Sequence, residues 1–120
     1  MNRIIAGLVL VAGLGLALFP DNPAAAMPGS CPWGYWCLYD NNSFVGPQLN
    51  KTPSDPDLRN DSFNDATNSL ANNRDSYAKF YQSYNYTQSQ HCENNQSDES
   101  SNTWGFGISS VQAFVTPWCP

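Results

Sequence analysis

Leu38-Tyr39-Asp40-Asn41-Asn42-Ser43-Phe44-Val45-Gly46 places two aromatics five residues apart, with a glycine two positions further on. Phe63-Asn64-Asp65-Ala66-Thr67-Asn68-Ser69-Leu70 follows it. A fainter copy reads Phe80-Tyr81-Gln82-Ser83-Tyr84-Asn85-Tyr86-Thr87-Gln88, followed by Gly105-Phe106-Gly107-Ile108-Ser109-Ser110-Val111. Tyr39 and Tyr81 are 42 residues apart, and Ser69 and Ser110 are 41 apart. Two landmarks repeating at nearly one period predict a duplicated β-unit.

Outward from this repeat, Trp36–Tyr39, Ala78–Tyr81 and Ser110–Val115 are expected as strands, the last with Val111, Ala113 and Val115 on one face. Asn, Ser, Asp, Gly and Pro fill the intervals, and no stretch holds a helical period. Short strands between turn formers predict an all-β sandwich or barrel. Asn50–Asn60 and Gln88–Thr103 are expected as ordered, exposed loops.

The chain has 120 residues and opens with Arg3, an apolar run from Ile4 to Phe19, and Ala24-Ala25-Ala26. This is a signal peptide pattern, and the run falls short of the ~20 residues that span a bilayer. Residues 1–26 are therefore expected to be removed, leaving 27–120 as a single secreted domain. After cleavage no membrane contact is expected. A domain of this size buries roughly 60–65% of its unfolded surface, so its core is thin. Cys31, Cys37, Cys92 and Cys119 form an even set in an exported chain and are expected as disulfides. Four cysteines allow three pairings. Pro32 and Gly34 let a short loop turn back, which favours Cys31 with Cys37 and leaves Cys92 for Cys119. Zinc is disfavoured for the cysteines, because no Cys-x-x-Cys occurs and His91 is the only histidine.

The formal net charge is −5, and the basic residues are scattered singly. Nucleic acid and anionic membranes both call for basic patches, so neither is an expected partner. A hydrolase needs an activated nucleophile or a matched acid and base. One histidine, oxidised cysteines and unpaired carboxylate spacing make an enzyme unlikely on chemical grounds.

The aromatic–glycine pattern resembles the β/γ-crystallin motif, in which a hairpin folds over its sheet and a later serine pins it. The resemblance implies a β/γ-crystallin-like sandwich of two Greek-key units. Tyr39 would pack at the hairpin corner, Gly46 would take positive φ, and Ser69 would hold the hairpin down. Gln88 stands where the second glycine belongs, so the second hairpin is expected to be distorted or opened. With the leader and Cys31-Pro32-Trp33-Gly34-Tyr35-Trp36-Cys37-Leu38-Tyr39 added, the chain is similar to the secreted actinobacterial peptidase inhibitors of the Streptomyces metalloproteinase-inhibitor type. That likeness is strongest over 31–70. It implies a monomeric, non-enzymatic inhibitor of an extracellular protease that blocks the cleft with a disulfide-braced loop. Gln90, His91, Cys92 and Glu93 are the candidate inhibitory residues.

A crystallin-type calcium site draws oxygen ligands from Asn/Asp-rich segments of both units. Asn64, Asp65 and Ser109 are the candidates here, although a simple turn-capping role for Asn64 and Asp65 is the favoured reading. Otherwise no cofactor is expected. Two alternatives come from other classes. One is an extracellular module binding cell-wall glycan or a surface protein, through Trp33, Tyr35, Trp36 and Trp118. The other is a calcium-stabilised structural domain.

Overall fold

Alternation begins at Trp36. In β1 (Trp36–Asn41), Trp36 and Leu38 join the main core, while Cys37 and Tyr39 pack in a second cluster with Cys31 and Ala71. The period of two thus assigns one face to each set. The computed structural model describes Met27 and residues 30–120. The expected signal peptide, 1–26, lies outside the described residues.

β2 (Val45–Lys51) and β3 (Ser69–Asn72) flank β1, both antiparallel to it. β4 (Ala78–Ser83) and β5 (Thr87–Glu93) repeat the hairpin in the second unit. β6 (Ser97–Glu99) crosses back to pair with β3, and β7 (Ser110–Ala113) pairs with β4. The sheets run β2-β1-β3-β6 and β5-β4-β7, with Asp55 bridging onto Val111 of β7. Each unit therefore lends a segment to the other's sheet, and the fold is the two-unit Greek-key sandwich. Trp36, Leu38, Leu58, Leu70, Phe80, Ile108 and Val111 are fully buried between the sheets.

Both hairpins fold by one mechanism. The Ser69 hydroxyl donates to the Asn41 carbonyl (2.6 Å) and accepts from the Phe44 N–H (3.0 Å). The Ser110 hydroxyl donates to the Ser83 carbonyl (2.6 Å) and accepts from the Tyr86 N–H (3.0 Å). Ser43, Phe44 and Gly46 have φ of 61°, 59° and 86°; Asn85, Tyr86 and Gln88 have 56°, 60° and 71°. The expectation of a distorted second hairpin is thus corrected: Gln88 adopts the glycine-like conformation. Space explains the difference between the units. A Cβ on Gly46 would meet Asn41 Nδ2 at 2.6 Å, whereas the residue in Asn41's place in the second unit is the shorter Ser83.

Three further expectations are corrected. Gln88–Thr103 is not one loop: β5 runs through Glu93, because His91 and Glu93 turn inward beside Ala78 and Phe80, and β6 occupies Ser97–Glu99. In Asn50–Asn60, Asn50 belongs to β2, and Leu58 drops into the core from a 3-10 turn spanning Leu58–Asp61. The last strand ends at Ala113, and Val115 is 92% exposed. There the Tyr77 N–H bonds to the Thr116 carbonyl, and Phe114 stacks on Tyr77 with ring centres 4.4 Å apart.

One edge of the sandwich is closed by charge. Lys51 Nζ lies 2.7 Å from Asp55 and 2.8 Å from Asp61. Burial pushes the Asp55 carboxyl up. The adjoining Asp61 carboxyl group, with hydrogen bonds from Lys51 and the Asp57 N–H, more than reverses this and holds it below the usual carboxylate value. The same two carboxylates hold the Lys51 ammonium above its ordinary value.

Two outcomes are expected. Gln88→Gly should stabilise the protein by about 0.5–1 kcal/mol, since glycine reaches positive φ without Cβ strain, whereas Gly46→Ala should cost about 2 kcal/mol or more; urea unfolding of both variants checks this. A carboxyl with a depressed folded-state value contributes stability above its unfolded value, ~4, and that contribution is lost as pH falls below it. The melting temperature should therefore drop on acidification through this range. Asp55→Asn, although less stable at neutral pH, should lose less on acidification than wild type; an equal or larger loss would show that Asp55 is not the group responsible.

Candidate functional site

The described residues enclose no pocket, so a site among them is sought on loops and sheet edges. The most strongly fixed of these lies where β1 begins and β3 ends. A disulfide joins Cys31 to Cys37 with their Cα atoms 5.9 Å apart, closing the loop Pro32-Trp33-Gly34-Tyr35-Trp36. Asn73, just after β3, holds this loop from three sides. Its side-chain amide donates to the Cys31 carbonyl (2.8 Å), its carbonyl accepts from the Gly34 N–H (2.7 Å), and its N–H donates to the Tyr35 carbonyl (2.9 Å). Trp36 is anchored in the core, with its indole N–H donating to the Pro53 carbonyl (2.9 Å). Trp33, at the outer bend, is 65% exposed.

The second disulfide, Cys92 to Cys119, brings the C-terminal segment to the same end. The Cys119 N–H donates to the Asn94 side chain (2.7 Å), and the Asn95 N–H to the Pro117 carbonyl (3.1 Å). Trp118 is 65% exposed beside it. The Asn72 amide stitches this end together by donating to the carbonyls of Ser76, Glu93 and Asn94. Of the four aromatics singled out in the sequence, Trp36 is core and Tyr35 packs on the Cys31–Cys37 cluster. Trp33 and Trp118 face outward.

The residues expected to inhibit lie elsewhere. Gln90, His91, Cys92 and Glu93 form the end of β5, an edge strand. Gln90 is exposed and Cys92 is tied to Cys119, but Glu93 is buried, and its carboxylate accepts from the Ser97 hydroxyl and pairs with His91 Nε2 at 2.8 Å. The His91 ring lies against Trp104, with centroids 5.5 Å apart. Burial, and then the charge of Glu93, push the neighbouring Asp98 carboxyl above its ordinary value. The segment is thus an edge strand whose outer part is exposed and whose last residue points into the protein.

The calcium candidates do meet. Ser109 Oγ donates to Asp65 Oδ1 (3.2 Å), and Asn64 Nδ2 donates to Asp65 Oδ2 (3.1 Å). Gly107 lies so close to Asp65 Oδ1 that a Cβ there would collide with it. Asn64 Oδ1 is buried without a hydrogen-bond partner. These oxygens fit one half of a crystallin-type pair. The other half does not fit: Gly105 and Phe106 supply no side-chain oxygen, and Asn68, whose Nδ2 donates to the Asp40 carbonyl (2.6 Å), stands where the hydroxyl residue belongs.

Asn73 was not singled out in the sequence, because an asparagine in a polar turn looks like any other. The loop it supports had a visible signal: a tryptophan next to proline inside a six-residue cysteine spacing.

Comparison with known proteins agrees with this fold. The model of peptidase inhibitor family I36 matches residues 24–93. Among solved structures, one concerned with the evolution of the eye-lens βγ-crystallin domain fold superposes with a TM-score of 0.66 at 18% identity, covering 78% of this chain and 94% of that one. A βγ-crystallin from Ciona intestinalis gives 0.60 at 21% identity, covering 68% and 100%. A βγ-crystallin domain from Flavobacterium johnsoniae gives 0.56 at 26% identity, covering 67% and 93%. No curated protein matches the chain.

Proposed function

The chain belongs to peptidase inhibitor family I36, and we propose that it inhibits its target by seating the Cys31–Cys37 loop in the protease cleft. As a member of that family it is a non-enzymatic protein whose partner is a protease, and its two disulfides suit an extracellular setting. The observation that supports this loop is its fixation: one short disulfide and three hydrogen bonds to Asn73 hold a segment whose outermost side chain, Trp33, is left exposed. A rigid loop loses little conformational entropy on docking, so more of the contact energy appears as affinity. A tryptophan supplies a large apolar surface at the cost of only two side-chain torsions, a property shared by many interface anchors. Trp118 flanks the same end and would widen the contact.

The assay is a panel of metallo-, serine and cysteine proteases. At least one should be inhibited with one-to-one stoichiometry, and Trp33→Ala should raise the inhibition constant at least about tenfold with an unchanged melting temperature. If the protein is inert toward all, or is digested by all, the inhibitory reading fails. If Trp33→Ala inhibits as well as wild type, the loop assignment fails while inhibition stands.

A second reading has its own support in the unpartnered Asn64 Oδ1 and the Asp65–Ser109 contact. It is a calcium-stabilised domain in which Asn64, Asp65 and Ser109 would hold one ion, the ion supplying positive charge where the two units meet. Calorimetric titration should then give at most one Ca²⁺ per chain, with binding abolished in Asp65→Ala. Absence of both heat and a rise in melting temperature removes this reading.

A further inference from the structure

The two units part company at one half-buried seam. Lys51 and Glu93 occupy the same position, the last residue of β2 and of β5, paired with Trp36 and Ala78 at the start of β1 and β4. Asp55 and Glu99 are likewise equivalent. Asp55 lies opposite Val111 and Glu99 opposite Leu70, and each of those partners directly follows a pinning serine. The next residues confirm the match: the Pro56 carbonyl accepts from the hairpin N–H of Asn85, and the Ser100 carbonyl from that of Ser43. The first unit thus sets an ammonium against a carboxylate, Lys51 against Asp55 at 2.7 Å. The second sets carboxylate against carboxylate.

Register fixes where these side chains point. Ser97 and Glu99 share a face with Asn72 and Leu70, and Glu93 and His91 share one with Ala78 and Phe80; all four partners are fully buried. Paired residues project to the same side of a sheet, so His91, Glu93 and Glu99 all point between the sheets, where apolar residues are the rule. His91 stands at the position that Leu49 fills in the first unit. A ligand atom of each of the three lies within 4.8 Å of the others, and Glu93 is only 5% exposed. Among the described residues the ion pair to Glu93 comes from His91 alone, and Glu99 accepts from the Thr103 hydroxyl (3.1 Å). Where the first unit sets the Lys51 ammonium against Asp55 and Asp61, the second has no ammonium and sets the His91 imidazole beside Glu93 and Glu99.

We propose that this seam is a metal site, in which His91 Nε2, Glu93 Oε2 and a Glu99 carboxylate oxygen bind one divalent ion of the zinc class in the role Lys51 plays opposite. The donor set decides the class: imidazole with carboxylates suits zinc and its neighbours, whereas calcium takes oxygen alone. Ligand distances of ~2.0–2.2 Å place tetrahedral donors ~3.3 Å apart. His91 and Glu93 therefore open slightly from 2.8 Å, Glu99 closes in, and water takes the fourth position. The imidazole is held for this by Trp104 and by Phe80, 5.5 and 6.5 Å away between ring centres. Because His91 and Glu93 come from one sheet and Glu99 from the other, the ion ties the two sheets together.

Calorimetric titration of Zn²⁺ into the purified protein, with both disulfides intact, tests this. One ion per chain should bind and raise the melting temperature, as any ligand of the native state does. Glu99→Gln keeps the side chain's shape and should weaken Zn²⁺ at least about tenfold without lowering the metal-free melting temperature. Glu93→Lys copies the first unit's arrangement and should fold without metal and bind no zinc; should it fail to fold, His91→Gln takes its place. No saturable Zn²⁺ binding, or binding that survives Glu99→Gln and the second variant unchanged, overturns the proposal. Calcium should not displace the zinc, which keeps this site distinct from Asp65 and Ser109.

Discussion

Two serine hydroxyls carry the architecture. Ser69 and Ser110 are fully buried, and each satisfies one carbonyl and one N–H at the bend of a folded hairpin. Those backbone groups lie where no strand can pair with them, and left unpaired inside the protein each would cost about 1–3 kcal/mol. Once pinned, a hairpin folds over its own sheet and presents its bend to the other unit. Ser43 then bonds to Ser100, and Asn85 to Pro56, so each unit closes the other. The sandwich is held as a pair because each hairpin is completed by a segment from the opposite half.

Much of this was legible as spacing. The aromatic pair, the serine and the period near 42 residues are geometric requirements, and geometry repeats even when chemistry drifts. What spacing could not convey was tolerance. Glycine at position 46 is enforced by the Asn41 side chain as well as by its φ, and that second constraint is relaxed where Ser83 replaces asparagine. The strand character of Gln88–Glu93 was hidden for a related reason. An edge strand with one wet face and a polar inner end shows little of the alternation that marks a strand in sequence. For the site, the cysteines and tryptophans were visible, but their exposure was not. Trp33 and Trp36 look alike on paper and lie on opposite sides of the surface because Trp36 starts β1 on its core face.

Duplication frees one copy to change wherever the fold does not depend on it. The pins are retained in both units, while the seam flanking them is Lys51 with Asp55 in one and His91 with Glu93 and Glu99 in the other. In the first unit the Lys51 ammonium is shared between Asp55 and Asp61. In the second, two carboxyl groups and an imidazole converge with no ammonium among them, the arrangement that the proposed ion would complete. The Asp65–Ser109 contact shows the same divergence, since Gly105 and Phe106 stand in the second unit where Asn64 and Asp65 stand in the first.

The disulfides divide their labour by loop length. On the chain-entropy account, closing separations of 6 and 27 residues contributes about 2.4 and about 3.6 kcal/mol respectively. The longer bridge therefore does more for stability, holding the C-terminal segment against a core too thin to retain it otherwise. The shorter bridge contributes less to folding than to shape, because it spans a loop that Asn73 already grips from both backbone directions. Constraint beyond what folding requires, concentrated on a segment that leaves a tryptophan in water, matches what binding demands. An inhibitor must survive contact with a protease, and cleavage requires a chain that can adapt to the catalytic groups. A loop already fixed in shape resists that adaptation, so on the proposed mode of inhibition the rigidity that favours docking would also slow its destruction.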